Sequence, residues 1–195
     1  TLSLTDITKD FGGGPVLAGI SLDIEPGELV AVMGPSGSGK STLLHCMSGV
    51  LTPTHGSVRY GDEELSALGD APRSRTRLRN FGFVFQDGQL LPELSNVDNV
   101  ALPAMLNGMG RGAARKRAME LLDQLGLGGL AERRPAQVSG GQAQRVTIAR
   151  ALVANPGVVF ADEPTGALDQ STGHEVMQML TTIVRQSGAS LVMVT

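Results

Sequence analysis

The sequence predicts an α/β protein built on a mainly parallel sheet, and three observations carry that prediction. Short apolar runs of four or five residues, Leu29-Val30-Ala31-Val32-Met33, Val158-Val159-Phe160-Ala161 and Leu191-Val192-Met193-Val194, have the length and composition of strands buried on both faces. Amphipathic stretches of helical period separate them, as βαβ units require. Glycine contributes 26 of 195 residues, about 13% against a usual ~7%. It falls in local clusters without a repeat, the pattern of backbone that turns sharply or approaches a ligand closely.

Taken in order, Leu2–Ile7 and Val16–Ile24 flank the turn Gly12-Gly13-Gly14-Pro15 and read as strands of an antiparallel flanking sheet, which Ser57-Val58-Arg59-Tyr60 joins. Leu29–Met33 reads as a buried strand ending at Gly34. Arg73, Arg75, Arg77 and Arg79 read as a solvated segment, before Phe81, Phe83 and Phe85 alternate with Gly82 and Val84 in a strand that leads into Gln86. Residues 95–135 change character. Ala118, Leu121, Leu122 and Leu125 form one apolar helical face, with Arg111, Arg115, Lys116 and Arg117 expected in solvent. Thr172 and Glu175 have capping-box spacing ahead of the stripe Val176, Met179, Leu180, Ile183 and Val184. The expected organisation is one domain, with residues 1–94 and 136–195 as its core and residues 95–135 as an inserted helical subdomain.

Composition narrows the function. With 16 basic and 19 acidic residues the net charge is −3, which argues against a nucleic-acid binder. No apolar run approaches the ~18 residues of a membrane span, so direct membrane insertion is not expected and any membrane role comes through a partner. The first residues lack the pattern of a signal peptide. The single cysteine, Cys46, excludes an internal disulfide, fits a reducing compartment and reads as a small buried side chain. His45, His55 and His174 show no metal-ligand spacing.

Three segments carry chemistry. Gly34-Pro35-Ser36-Gly37-Ser38-Gly39-Lys40-Ser41, followed by Thr42, fits G-x-x-x-x-G-K-[ST] between a strand and a helical stretch. In such a loop backbone N–H groups turn inward around phosphate oxygens and the helix N-terminus adds positive potential. Lys40 is then placed for the β- and γ-phosphates and Ser41 for Mg²⁺. Asp162-Glu163 ends an apolar strand, where the first acid can face the phosphate loop on the adjacent strand and hold Mg²⁺ while the second orients or deprotonates an attacking water. Ser139-Gly140-Gly141-Gln142 has S-x-x-Q spacing, so Ser139 can cap a helix whose amides face outward beside two glycines.

In combination these segments resemble the nucleotide-binding subunits of ATP-binding cassette (ABC) transporters over essentially the whole chain. The family's order of phosphate loop, strand-end glutamine, signature, Asp-Glu pair and Leu-Asp turn is met by Gly34–Thr42, Gln86, Ser139–Gln142, Asp162-Glu163 and Leu168-Asp169. The resemblance implies ATP and Mg²⁺ as cofactors. It makes Glu163, Gln86 and Lys40 catalytic, and gives Ser41, Gln86 and Asp162 to the metal. Ser139, Gly140, Gly141 and Gln142 would meet the γ-phosphate of ATP held by a second copy in a head-to-tail dimer, and Asp169 would shape the loop joining the two sites. Phe11 stands where the family stacks an aromatic, most often tyrosine, on adenine, and Val16 either contacts the same base or opens its strand as a core residue. Val138 replaces the usual leucine before the signature.

The family's last strand is followed by a γ-phosphate histidine, whereas this sequence stops at Thr195. The expectation is a truncated version of a longer chain whose own hydrolysis is in doubt. The implied function is an ATPase, peripheral on the cytoplasmic face of the cell membrane, that energises an integral membrane permease docked on Gln86–Leu94 and the helical insertion. Its likeness is to the lipoprotein-release, macrolide-export and cell-division branch. The competing class is a soluble ABC ATPase of DNA repair or translation. Against it stand an interval of 99 positions from Lys40 to Ser139 without heptads, and a single cassette.

Overall fold

A computed structural model describes all residues, 1–195. The strands are β1 (Leu2–Asp10), β2 (Pro15–Ile24), β3 (Leu29–Val32), β4 (His55–Tyr60), β5 (Glu63–Glu64), β6 (Phe81–Phe85), β7 (Val158–Asp162) and β8 (Ser190–Val194). The helices are α1 (Lys40–Met47), α2 (Asp70–Asn80), α3 (Asn96–Leu106), α4 (Arg111–Gln124), α5 (Gly140–Leu152) and α6 (Gln170–Ser187).

Two sheets result, as the sequence predicts. The apolar runs assemble into a parallel sheet of order β3-β8-β7-β6, and the N-terminal strands into an antiparallel sheet of order β2-β1-β4-β5. Apolar runs suit a parallel sheet because helices or a second sheet cover both faces. On one face α3, α4, α5 and α6 bury Val100, Leu122, Ile148 and Leu180 with Val159 and Leu191 in one continuous cluster. On the other, α1 and the antiparallel sheet bury Ile7, Ile24, Leu44 and Met47 with Phe160 and Val192. Edge-to-face contacts of Phe81 with Tyr60 (5.0 Å) and with Phe160 (5.2 Å) join the two sheets.

Four expectations are corrected. The Leu29–Met33 run is half-exposed, with Met33 76% exposed, because β3 is an edge strand paired only with β8. The arginine run is helical, and 3.6-residue periodicity splits it. Arg73 and Arg77 turn inward onto Thr52 and the Gly49 carbonyl, while Arg75 and Arg79 face solvent. On α4, Arg111 and Lys116 are solvated but Arg115 bridges Asp98 (2.5 Å) and Glu132 (2.6 Å), and Arg117 donates to the Val153 carbonyl (2.6 Å) and to Asn155. Finally, α6 starts earlier than the Thr172–Glu175 spacing implies, because the Asp169 carboxylate accepts from the Thr172 amide at 3.0 Å and caps it.

Candidate functional site

The site lies at the C-terminal ends of the parallel strands, where α/β sheets present ligands to loops and helix N-termini. From β3 the chain runs through Gly34–Gly39 into α1. Gly39 has φ +87°, and a Cβ there would stand 3.0 Å from the Val16 carbonyl oxygen, so only glycine fits this entry to the helix. The N–H groups of Gly37, Gly39, Lys40, Ser41 and Thr42 make no hydrogen bond within the protein. Five donors and a helix N-terminus therefore converge on a cavity of about 240 Å³ lined by Val16, Ser36, Gly37, Lys40 and Glu163 among others. Lys40 Nζ donates to the carbonyls of Gly34 (2.8 Å) and Pro35 (3.0 Å), and the Pro35 carbonyl also accepts from the Ser38 amide.

Asp162 is not on the strand next to β3. β8 intervenes, and the side chain of Ser41 reaches past it to donate to Asp162 Oδ1 at 2.9 Å. A separation of 2.9 Å suits adjacent oxygens around an octahedral Mg²⁺ with bonds of about 2.0–2.1 Å, so this hard-oxygen pair fits the ion. His45, one turn along α1 from Ser41, brings Nε2 to 3.9 Å from Asp162 Oδ2. It joins Gln86, Asp162 and Glu163 in a neighbouring cavity of about 290 Å³. Glu163 itself has φ +42°, a left-handed conformation uncommon for a residue with a Cβ. Its amide donates to the Val194 carbonyl and its own carbonyl accepts from Gly166. Gln86 is exposed and lies against Gly166, where an added Cβ would be 2.9 Å from its Nε2.

Ser139 caps α5, its hydroxyl accepting from the Gln142 amide (3.3 Å) while its own amide donates to Gln142 Oε1 (2.9 Å). The amides of Gly140 and Gly141 remain without a partner. Gly141 packs against α6 so closely that a Cβ would meet the Thr172 methyl at 2.5 Å, and the Leu168 side chain lies 3.4 Å from the corresponding position at Gly140. The signature loop and the Leu168-Asp169 turn are thus neighbours. Hydrogen bonds from Thr172, reinforced by the Ser171 amide, hold the exposed Asp169 carboxyl below the usual carboxylate range.

Val16 lines the phosphate cavity, but Phe11 does not. Its ring is 62% exposed beyond β1, with the Lys9 ammonium 5.1 Å from the centroid. A larger groove, of about 400 Å³ between α2, β6, α3 and α5, lies apart from the phosphate loop and lacks its free amides, so the donors for an anion face the smaller cavity. Sequence reasoning missed His45, and also Gln144, Thr147 and Arg150. The last three recur every third residue on α5, a polar stripe that could have marked them.

A strand, a glycine loop with unpaired amides, a lysine and a strand-end acid facing the loop's serine define a phosphate-loop nucleotide-binding protein. The ABC transporter family matches residues 17–166. The macrolide export ATP-binding/permease protein MacB of Marinobacter nauticus is 48% identical over all of this chain and 31% of that protein. The lipoprotein-releasing system ATP-binding protein LolD of Geobacter metallireducens is 46% identical over all of this chain and 88% of that protein, and LolD of Pseudomonas fluorescens is 48% identical over 92% and 81%. The chain therefore spans about a third of MacB and most of each LolD. The dimeric ATP-binding cassette MJ0796 in a post-hydrolysis state bound to ADP and Pi superposes with a TM-score of 0.89 at 40% identity, covering all of this chain and 88% of that one. The chain belongs to the ABC transporter family, and its fold is that of the ATP-hydrolysing cassette.

Proposed function

We propose that the protein is the ATPase subunit of a membrane complex of the lipoprotein-release or macrolide-export kind, working through ATP-driven dimerisation. The observation that carries this reading is the convergence of Ser41 and Asp162 at 2.9 Å beside five free amides. That arrangement can hold a triphosphate with its cation but does not select a transported substrate.

In this mechanism Gly34–Thr42 cradle the phosphates, Lys40 leaves its carbonyl partners to neutralise the β- and γ-oxygens, and Phe11 and Val16 border the adenine. Ser41, Asp162 and Gln86 would hold Mg²⁺, which would supply charge neutralisation to the phosphates. Glu163, at the mouth of both cavities, accepts the proton of the attacking water. A second copy offers its Ser139, Gly141 and Gly140 amides to the γ-phosphate, its Gln142 fixing the Ser139 cap, so that two nucleotides hold the dimer closed and hydrolysis opens it.

Residues 95–135 form the helical subdomain in this reading. They tie to the Gln86 loop through Asn99, which exchanges hydrogen bonds with both backbone groups of Leu91. The groove lined by Leu78, Phe83, Phe85 and Pro103 receives an integral membrane permease. No helix is long and apolar enough to cross a membrane, and attachment to the inner face of the cell membrane runs through that permease.

Purification of the full-length protein from detergent-solubilised membranes tests this. An integral membrane protein is expected to co-elute and to be lost with Phe83→Asp. A protein recovered only free of membrane partners, with turnover indifferent to Phe83→Asp, would overturn the reading in favour of a soluble ABC ATPase.

A further inference from the structure

Helix α5 carries Ser139–Gln142 at its N-terminus, and further along it presents Gln144, Thr147 and Arg150 to the loop that follows β6. Gln144 is 4% exposed and Thr147 fully buried. Gln144 Nε2 donates both to the Phe85 carbonyl (3.0 Å) and to the Pro164 carbonyl (2.7 Å). Thr147 Oγ1 lies 3.3 Å from the Gly88 carbonyl and 3.2 Å from the Ala143 carbonyl of its own helix, with one proton to share between them. The two terminal nitrogens of Arg150 donate to the carbonyls of Gly88 (2.6 Å) and Gln89 (2.7 Å). Side chains of α5 therefore hold the backbone carbonyls on either side of Gln86 and Asp87, and Pro164, one residue beyond Glu163, is tied to Gln144 as well.

Arg150 is a costly way to fasten a loop. It forms no ion pair, and burial pulls its guanidinium down from its ordinary value. A half-buried charge facing only neutral carbonyls is held by two short charge-assisted bonds. The seat beneath is equally tight, since a Cβ on Gly82 of β6 would stand 2.2 Å from the Ala151 carbonyl oxygen of α5. Strand and helix thus touch at Gly82 and Ala151, beside the groove that Gln89 and Arg150 also line.

We propose that Gln144, Thr147 and Arg150 are positioning residues that make the Ser139 helix and the Gln86 loop one rigid unit. Engagement of Ser139–Gln142 by nucleotide on a second copy is thereby transmitted to Gln86 and Glu163 of the same chain. This inference rests on the dimeric reading above. It goes beyond that reading in giving the two active sites of a dimer a mechanical link through each α5, with the carbonyls of Gly88 and Gln89 as its joints.

The test is a double-mutant cycle in the full-length protein. Arg150→Lys keeps the charge but cannot span two carbonyls in a fixed fork. It is expected to leave the Kd for Mg-ATP within about twofold while lowering kcat by roughly tenfold, with the urea midpoint measured as a control on folding. Gln86→Ala is expected to lower kcat, and the double variant to turn over like Gln86→Ala alone. Multiplicative losses would show that Arg150 acts independently of Gln86 and would overturn the inference. Should Gln86→Ala turn over at the parent rate, the role given to Gln86 falls, and the link is judged on the Hill coefficient for ATP. A coefficient falling toward one in Arg150→Lys supports the link, and an unchanged one overturns it. Should Arg150→Lys fail to fold, Thr147→Val removes one bond of the clamp without changing size and is read by the same two measurements.

Discussion

The phosphate loop and the signature loop are both glycine-rich helix entries, yet they treat their amides in opposite ways. At Gly34–Thr42 no side chain caps α1, and five N–H groups are left free. At Ser139–Gln142 a reciprocal capping box satisfies two donors within the chain and leaves only those of Gly140 and Gly141. The first loop is an anion site complete on one chain. The second is a capped helix end with two amides left free, and in the dimer proposed above its ligand is carried to it by another chain. On that reading, the difference makes nucleotide binding and dimer closure separable properties with separate residues.

Substitutions can break that separation or sharpen it. The largest effect is expected for Lys40→Ala, which removes a charge from the one loop that binds alone. Losing charge-assisted bonds to two phosphates, worth ~1.5–3 kcal/mol each, should weaken Mg-ATP binding at least about 100-fold by calorimetry. Unchanged affinity in a folded variant would remove Lys40 from the site. Next, Glu163→Gln should lower turnover by roughly 10²–10⁴-fold, the range for loss of a general base. Binding should survive, and the full-length variant should elute as a dimer in Mg-ATP where the parent is mostly monomer. A monomeric variant, or one hydrolysing at the parent rate, would contradict the role of Glu163.

Ser139→Ala probes the other loop. Removing the cap should cost about 1 kcal/mol of stability in urea melts, and should leave Mg-ATP affinity of the single chain within twofold while impairing dimer formation. An equal loss of monomer affinity would collapse the distinction between the loops. The smallest effect belongs to Asp169, whose carboxyl is depressed in the folded chain. Its contribution is fully present above the unfolded value near pH ~3.9 and fades as pH falls through the lower folded value. An NMR titration should find its midpoint below that of an unfolded peptide, and Asp169→Asn, also a good cap, should barely change stability at pH 7.

The phosphate loop was legible because every residue it needs is contiguous, and Ser139–Gln142 because capping is a local, three-residue affair. What could not be read depends on pairing across sequence. Nothing local says that β8 separates β3 from β7, so Asp162 was expected one strand too close. The inward turn of Arg73 and the bridging of Asp98 by Arg115 depend on acceptors supplied by other segments. The Arg150 contacts join positions 61 and 62 apart, and periodicity on α5 shows the stripe but not its acceptors. The overestimated burial of Leu29–Met33 has the same origin, since composition does not say which strand lies at an edge.

The strand order also dictates when the phosphate loop can become firm. β3, which aims the loop, is paired only with β8, with Leu29 opposite Leu191, 162 positions further along. Closing so long a stretch of chain loses entropy before the sheet returns any contact energy, and topologies of this kind fold slowly. During synthesis the antiparallel sheet can form early from neighbouring strands. The nucleotide cradle acquires its only strand partner after nearly all the residues between have been made, so a chain interrupted before Ser190 would carry the phosphate-loop sequence without the strand that holds it in place.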